Sequence, residues 1–173
     1  MTSIIKVDNI QSSGGTAALS IDSTGRILTP ARPAFSVHLN TAGSSTDYTT
    51  TSNVPFDTID FNIGSCVAIS SNVATFTAPI TGYYQFNLLV GFGNVEGANH
   101  LNTYLRKDGA FSSDSNLDYR NIEDPQGASY MTLTTSALIY LTATQTINPV
   151  VFVNGDTTVQ IRAGSRFNGF LVG

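Results

Sequence analysis

Side chains able to do chemistry are few in this sequence, and they stand apart. The chain has two histidines and one cysteine. His38, in "AFSVHLN", falls on the polar side of an alternating strand, where a surface or interface role outweighs a catalytic one. His100, in "EGANHL", lies close behind Glu96, a spacing that suits a loop hydrogen bond. Cys66 sits in "IGSCVAIS" with no histidine or basic residue beside it to lower its pKa, so a small buried thiol is expected. Asp108, Asp114, Asp118, Glu123 and Asp124 gather oxygen ligands of the kind calcium takes, but without the ordered spacing and central glycine of a calcium loop. A solvated loop is the expectation there, with no metal and no other cofactor. The same stretch carries Phe111, Tyr119 and Arg120 among small polar residues, a composition suited to stacking on a sugar or touching a protein. It forms a candidate receptor-contact loop, against the plainer alternative of packing or loop anchoring. No H-x-x-x-H, C-x-x-C, G-x-S-x-G or phosphate-cradling glycine loop occurs. The sequence predicts no enzyme.

Composition narrows the function classes further. At 41% hydrophobic, the 173 residues can bury a core, while only 12% are charged, about half the usual share. Ser, Thr, Asn and Gly supply the polarity, as suits a β-rich chain that tolerates a changing or extracellular environment, or one whose surface is largely taken up by other subunits. Eight basic and twelve acidic residues give a net charge of −4. The basic ones are dispersed, without the stripe that nucleic acid demands. "MTSIIKVDNIQ" has no basic segment followed by an apolar stretch, and no apolar run approaches the ~18 residues of a membrane span. A soluble product made in the cytoplasm is expected, with no membrane insertion.

The elements that would position these groups read as strands. Residues 1–33 differ from the rest. "SIIKVDNIQ" gives a short extended segment, "SSGG" a flexible joint, and "TAALSIDSTGRIL" a hairpin turning at Asp22 to Gly25. Ile4, Ile5, Val7, Ile10, Leu19, Ile21, Ile27 and Leu28 in this arm are too few to enclose a core of their own. Identical copies wrapping round one another or a larger partner are expected to cover them, against the alternative of a frayed tail, which makes them the candidate anchor. From residue 34 onward, alternating segments separated by turn signals argue for a two-sheet sandwich or jelly roll. Phe35, Val37 and Leu39 share one face; Tyr84, Phe86, Leu88 and Val90 share another, with Tyr84 expected inward and Tyr83 outward. Ile59 and Phe61 follow Phe56 as apolar positions, Asp108-Gly109 is a turn, and "SSDSNLDYRNIEDPQGAS" is expected to be a long exposed loop.

"FTAPITGYYQF" hinges two apolar stretches on a corner. Pro79 would break a ladder in mid-strand and so belongs at a turn; Gly82 is expected to supply backbone freedom there. The pattern Pro79-x-x-Gly82-x-Tyr84-x-Phe86, preceded by Phe76, resembles the signature of the globular head of complement C1q, a family sharing the jelly roll of tumour necrosis factor. "PAFSVHLN" with Phe35, "VPFDTIDFNIGS", "ALIYLTAT" and the ending "FNGFLV" (Phe167, Gly169, Phe170, Leu171) resemble other segments of that family in the right order. The resemblance covers residues 34–173 and departs at one place: the usual Gly-Asp pair after the late leucine-rich strand reads "TATQT" here. It implies an all-β, antiparallel two-sheet jelly roll that assembles as a homotrimer, with the signature residues in its core.

The arm resembles the opening of tailed-bacteriophage virion proteins, where "IKVD-x-IQ" and "IDS-x-G" precede a fibre or knob. The resemblance implies a non-enzymatic virion protein made in the host cytoplasm and released by lysis. Residues 1–30 would hold it to capsid or tail proteins, and residues 34–173 would form the knob. Capsid decoration is the first expectation. A fibre tip binding a host surface glycan or protein is the alternative, and a free recognition protein of the complement-head family the second.

Overall fold

Side chains turn to opposite faces at every second residue of a strand, and this alternation tells each apolar set of the chain which way to face. The computed structural model describes residues 7–41, 48, 51–109 and 118–172. Among them every regular element is a strand. The arm carries β1 (Asn9–Gln11), β2 (Ala17–Ile21) and β3 (Ile27–Leu28). The head carries β4 (Ala34–His38), β5 (Ser52–Asn53), β6 (Thr58–Ile63), β7 (Val67–Ser70), β8 (Val73–Thr77), β9 (Gly82–Gly93), β10 (His100–Lys107), β11 (Asp118–Glu123), β12 (Tyr130–Leu141), β13 (Thr146–Asn154), β14 (Gln160–Ile161) and β15 (Arg166–Leu171). One head sheet has the order β11-β10-β13-β8-β7, with β5 added on β13; the other has the order β12-β9-β15-β4-β6, with β14 added on β9. All pairings are antiparallel, and together they form the jelly-roll sandwich.

An aromatic cluster joins the sheets. Phe76 of β8 lies 5.3 Å from Phe35, 4.9 Å from Phe86 and 5.1 Å from Tyr84, ring centre to ring centre. Phe35 meets Phe167 at 4.9 Å, edge to face. Gly169 is the position that lets these rings close. A Cβ there would stand 2.7 Å from Phe86 Cδ1 and 2.9 Å from Phe35 Cε1, so only glycine fits. At the corner, the Tyr84 hydroxyl donates to the Ile80 carbonyl at 2.7 Å, tying the strand back over the Pro79 turn, and burial pushes its phenol above the usual value.

Several expectations need correction. Gly82 opens β9 without a positive φ, so backbone freedom is not its role. Phe170 is not core: Gly169 points inward and Phe170 faces out, 43% exposed. Ile59 and Phe61 also face out. "DYRNIE" is no loop; it is β11, paired with β10 from Leu101–Glu123 to Arg106–Asp118. His100 starts β10, and its ring lies 5.9 Å from that of Phe152. "SSGG" is a hairpin turn, where the Gly15 N–H donates to the Ser12 carbonyl and Gly15 takes a positive φ.

The departure "TATQT" also has a structure. Thr144 occupies a left-handed backbone at φ 75, a conformation that costs a β-branched residue about 1–3 kcal/mol. Gln145 holds the turn by accepting from the Thr142 N–H at 3.0 Å and donating to Asp108 at 3.0 Å. Thr144→Gly is therefore expected to stabilise the head by about 1 kcal/mol net of glycine's added chain entropy. The melting temperature reads this out, and a lowered value would refute it. Gly169→Ala is expected to cost about 1–3 kcal/mol by overpacking the aromatic cluster, seen as a lower urea midpoint. An unchanged midpoint would show that the rings yield freely.

Candidate assembly face

The outward side of the β9 sheet is where side chains capable of binding converge. Residues directly opposite one another in the register line up in rows across it. The row nearest the arm holds Tyr140 and Tyr83, whose rings are 5.1 Å apart, and Val172, whose N–H donates to the Tyr83 carbonyl. The next holds Leu138, Gln85, Phe170, Ala34 and Ile63. Tyr83, Tyr140, Leu138, Phe170, Ile63 and Phe61 are each between 42% and 54% exposed, large apolar surfaces set side by side. A hollow of about 250 Å³ opens among Phe61, Phe170, Asn168 and Arg166.

The third row, Ser136, Asn87 and Asn168, is a chain of hydrogen bonds joined from the second row by Gln85. Gln85 donates to Ser136 at 2.9 Å, Ser136 to Asn87 at 2.8 Å, and Asn87 to Asn168 at 3.1 Å. These side chains fix one another and leave an ordered polar band. Beyond it, a bulge between Ser36 and Val37 inserts Asp60 against the same face. The Asp60 carboxylate accepts from the Ser36 hydroxyl at 2.8 Å and pairs with Arg166 at 3.1 Å, and its other oxygen lies 2.8 Å from His38 Nδ1. The Ser36 hydrogen bond, helped by the charges of His38 and Arg166, holds this carboxyl below its ordinary value.

The chemistry elsewhere is quiet. Burial pushes the Cys66 thiol up to about 11, away from reactivity. Asp108 accepts from the Thr146 N–H and from Gln145, which employs it in a turn. Among the described residues no three His, Cys, Asp or Glu side chains come together as a metal site. Among them, too, no helix is long and apolar enough to cross a membrane.

The structure separates the expected site residues into three places. Phe35, Phe76, Tyr84, Phe86, Phe167 and Gly169 meet in the core, Leu171 is half-buried, and Pro79 is exposed at the corner. In the arm, Ile10 pairs with Leu19 and Ile21 with Ile27, placing all four on one face of the three-stranded sheet. Leu28 pairs with Ser20 and takes the other face, and Val7 precedes β1. Val7, Ile10, Ile21, Ile27 and Leu28 are exposed. Ile4, Ile5 and Phe111 lie outside the described residues. Tyr119 and Arg120 belong to β11, where Arg120 is exposed opposite Tyr104. Sequence reasoning missed the outward face itself. Its signal was the unbroken apolar run "ALIYL", in which both sides of one strand are apolar.

A jelly roll that carries an ordered, half-apolar sheet face defines a class: a binding or assembly module. The chain belongs to the C1q domain family, whose model matches residues 34–172. Among solved structures it is similar to the globular domain of a zebrafish complement 1qA protein, at 18% identity and a TM-score of 0.60, covering 82% of this chain and 98% of that one. It is also similar to murine APRIL, at 13% identity and a TM-score of 0.57, covering 81% and 98%. No curated protein sequence matches the chain. Domains of this class typically form homotrimers and are generally binding or structural modules rather than enzymes.

The Asp60 cluster makes a pH prediction. A carboxyl held below its ordinary value of 3.8 adds stability that is complete above that value and lost as pH falls below it. Asp60→Asn should therefore flatten the acid limb of a stability profile taken between about pH 2 and 6 at fixed protein concentration. Parallel profiles for the two proteins would remove Asp60 from the account.

Proposed function

We propose that this chain is a non-enzymatic structural protein of a tailed-bacteriophage virion: a homotrimeric knob closed through the β9-sheet face and docked to the particle through its N-terminal arm. The observation that carries the reading is the pole of that face formed by Tyr83, Tyr140, Leu138, Phe170 and Ile63. These side chains are already about half-buried, so covering each gains roughly half of the ~1.5–3 kcal/mol of a full burial, and monomeric soluble proteins rarely leave so many adjacent. Closed rotational symmetry covers the patch with its own copies, and the homotrimer habit of the class selects threefold closure.

The arm supports the second half. Its three strands present Ile10, Leu19, Ile21 and Ile27 on one face, too small a surface to fold over itself. Such a face suits docking onto a larger shell, in keeping with the likeness of "IKVDNIQ" and "IDSTG" to virion openings. Capsid decoration is the use we propose. A count of hundreds of copies per particle would support it, and a handful would assign the protein to a fibre tip.

Sedimentation is expected to give a trimer. Leu138→Asp with Phe170→Asp should shift it to monomer with the far-ultraviolet spectrum unchanged, since both side chains are solvent-facing within the protomer. A wild-type monomer at micromolar concentration would overturn the assembly. Deleting residues 1–30 should leave a trimeric head that no longer joins particles; retained incorporation would refute the anchor.

A further inference from the structure

At the far end of the β9 sheet from the arm, the side chains change character. β9 runs on through Gly91 and Gly93, β12 begins at Tyr130 opposite Gly93, and β14 returns into β15 through the turn Arg162-Ala163-Gly164-Ser165. A hollow of about 230 Å³ opens here, lined by Gly91, Tyr130, Thr132, Arg162 and Ser165 among others. The Arg162 guanidinium carbon lies 4.3 Å from the centre of the Tyr130 ring, and that tyrosine is 63% exposed. Among the described residues no carboxylate lies within ion-pair distance of Arg162, whereas Arg26 and Arg166 each have one.

The site is built rather than accidental. The Arg162 N–H donates to the Gly91 carbonyl at 2.8 Å, the Ser165 hydroxyl donates to the Arg162 carbonyl at 2.8 Å, and the Gly91 N–H donates to that same hydroxyl at 3.1 Å. Ser165 is almost wholly buried, so the turn presenting Arg162 is locked from beneath. Neither Gly91 nor Gly93 has a positive φ. A Cβ on Gly91 would meet Arg162 Cβ at 3.4 Å and Thr132 Oγ1 at 4.0 Å; one on Gly93 would meet the Tyr130 ring at 3.5 Å. These are ordinary contacts, so the chain's own packing does not demand glycine at either position. Glycine in a strand interior weakens the strand and often marks a bulge, a tight bend or the close approach of a ligand or another backbone; β9 keeps an unbroken register with β12, β14 makes the backbone approach at Gly93, and Gly91 lines the hollow.

We propose that this hollow binds a carboxylated sugar residue of the uronic-acid type, a function distinct from assembly and placed at the pole opposite the arm. The planar guanidinium offers two parallel donors that match a carboxylate. The tyrosine ring gives an apolar platform with a polar tip against which a sugar ring stacks, and Thr132 supplies a hydroxyl beside it. The volume lies below the roughly 300 Å³ at which drug-sized pockets begin, which suits a single sugar ring. A host surface polysaccharide bearing uronate is the natural source, and free glucuronate carries the same group.

The test uses the full chain, with light scattering on every sample. Titration with glucuronate, glucose and inorganic phosphate, followed by amide resonances, should show glucuronate binding at least tenfold tighter than either of the others. Shifts should centre on Gly91, Tyr130 and Arg162. Arg162→Lys, which keeps charge but loses the fork, should weaken binding about tenfold; Gly91→Val, which fills the floor, should abolish it. Free glucuronate should release the chain from an immobilised uronate polymer. No glucuronate binding, equal binding of glucose or phosphate, or failure to release would overturn the proposal. So would a change of oligomeric state in the Arg162 variant, which would assign the hollow to a neighbouring copy. A wild-type monomer that binds glucuronate would leave this site standing while the assembly reading falls.

Discussion

The contact between Gly169 and the rings of Phe35 and Phe86 is the constraint on which the rest of the head depends. β15 sits at the centre of its sheet, between β9 and β4, so whatever side chain it turns inward sets how closely the second sheet approaches. With no Cβ there, Phe76 reaches across from β8 to touch rings on β4 and β9 at once. Protein interiors pack at crystal-like density, so a methyl group at this point would be felt through both sheets. Because strands alternate, Gly169 facing in also obliges Asn168 and Phe170 to face out. The outward face is thus a consequence of the core, one residue out of phase with it.

That face is graded along the strands. Apolar rows lie nearest the arm, then the band from Gln85 through Asn168, then the charges around Asp60. The apolar rows supply driving force without direction, since hydrophobic contact tolerates sliding. The hydrogen-bonded band and the ion cluster are satisfied within the protomer, so a copy packed on this face, as proposed, would have to match a fixed pattern of amides and charges rather than supply missing mates. The bulge that inserts Asp60 adds to that pattern.

Much of the fold could be read from the residues themselves. The Pro79 corner, the Ser71-Asn72 and Asp108-Gly109 turns with their positive φ values, and the inward set Tyr84-Phe86-Leu88-Val90 follow from period-two alternation and turn chemistry. What escaped did so for physical reasons. β11 carries few apolar residues because it is an edge strand, and edges are kept polar against unwanted pairing. Phe170 looked like core because apolarity does not say which side of a sheet a residue takes; only Gly169's need for space decides that. Thr144 hid its turn because a β-branched residue is the last expected at positive φ. The outward face was half legible in "ALIYL", whereas Asp60 depends on a register shift that no local pattern announces.

The two ends of the same sheet differ in chemistry. β9 spans twelve residues, and from Tyr83 to Gly93 it travels roughly 33 Å. At its start the tyrosines and Phe170 adjoin the point where the arm enters, since the Leu171 N–H donates to the Pro33 carbonyl. At its end Gly91 lines the hollow beside Arg162 and Tyr130. A long strand hydrogen-bonded on both sides is stiff, so neither end need shift when the other is occupied. Large apolar side chains gather near the point where the arm enters, and the exposed Arg162 is held as far from it as the strand allows. A symmetric closure at the apolar pole would then repeat the cationic hollow three times on one surface, which turns a weak single-sugar contact into a strong one on a polymer that offers the same group repeatedly.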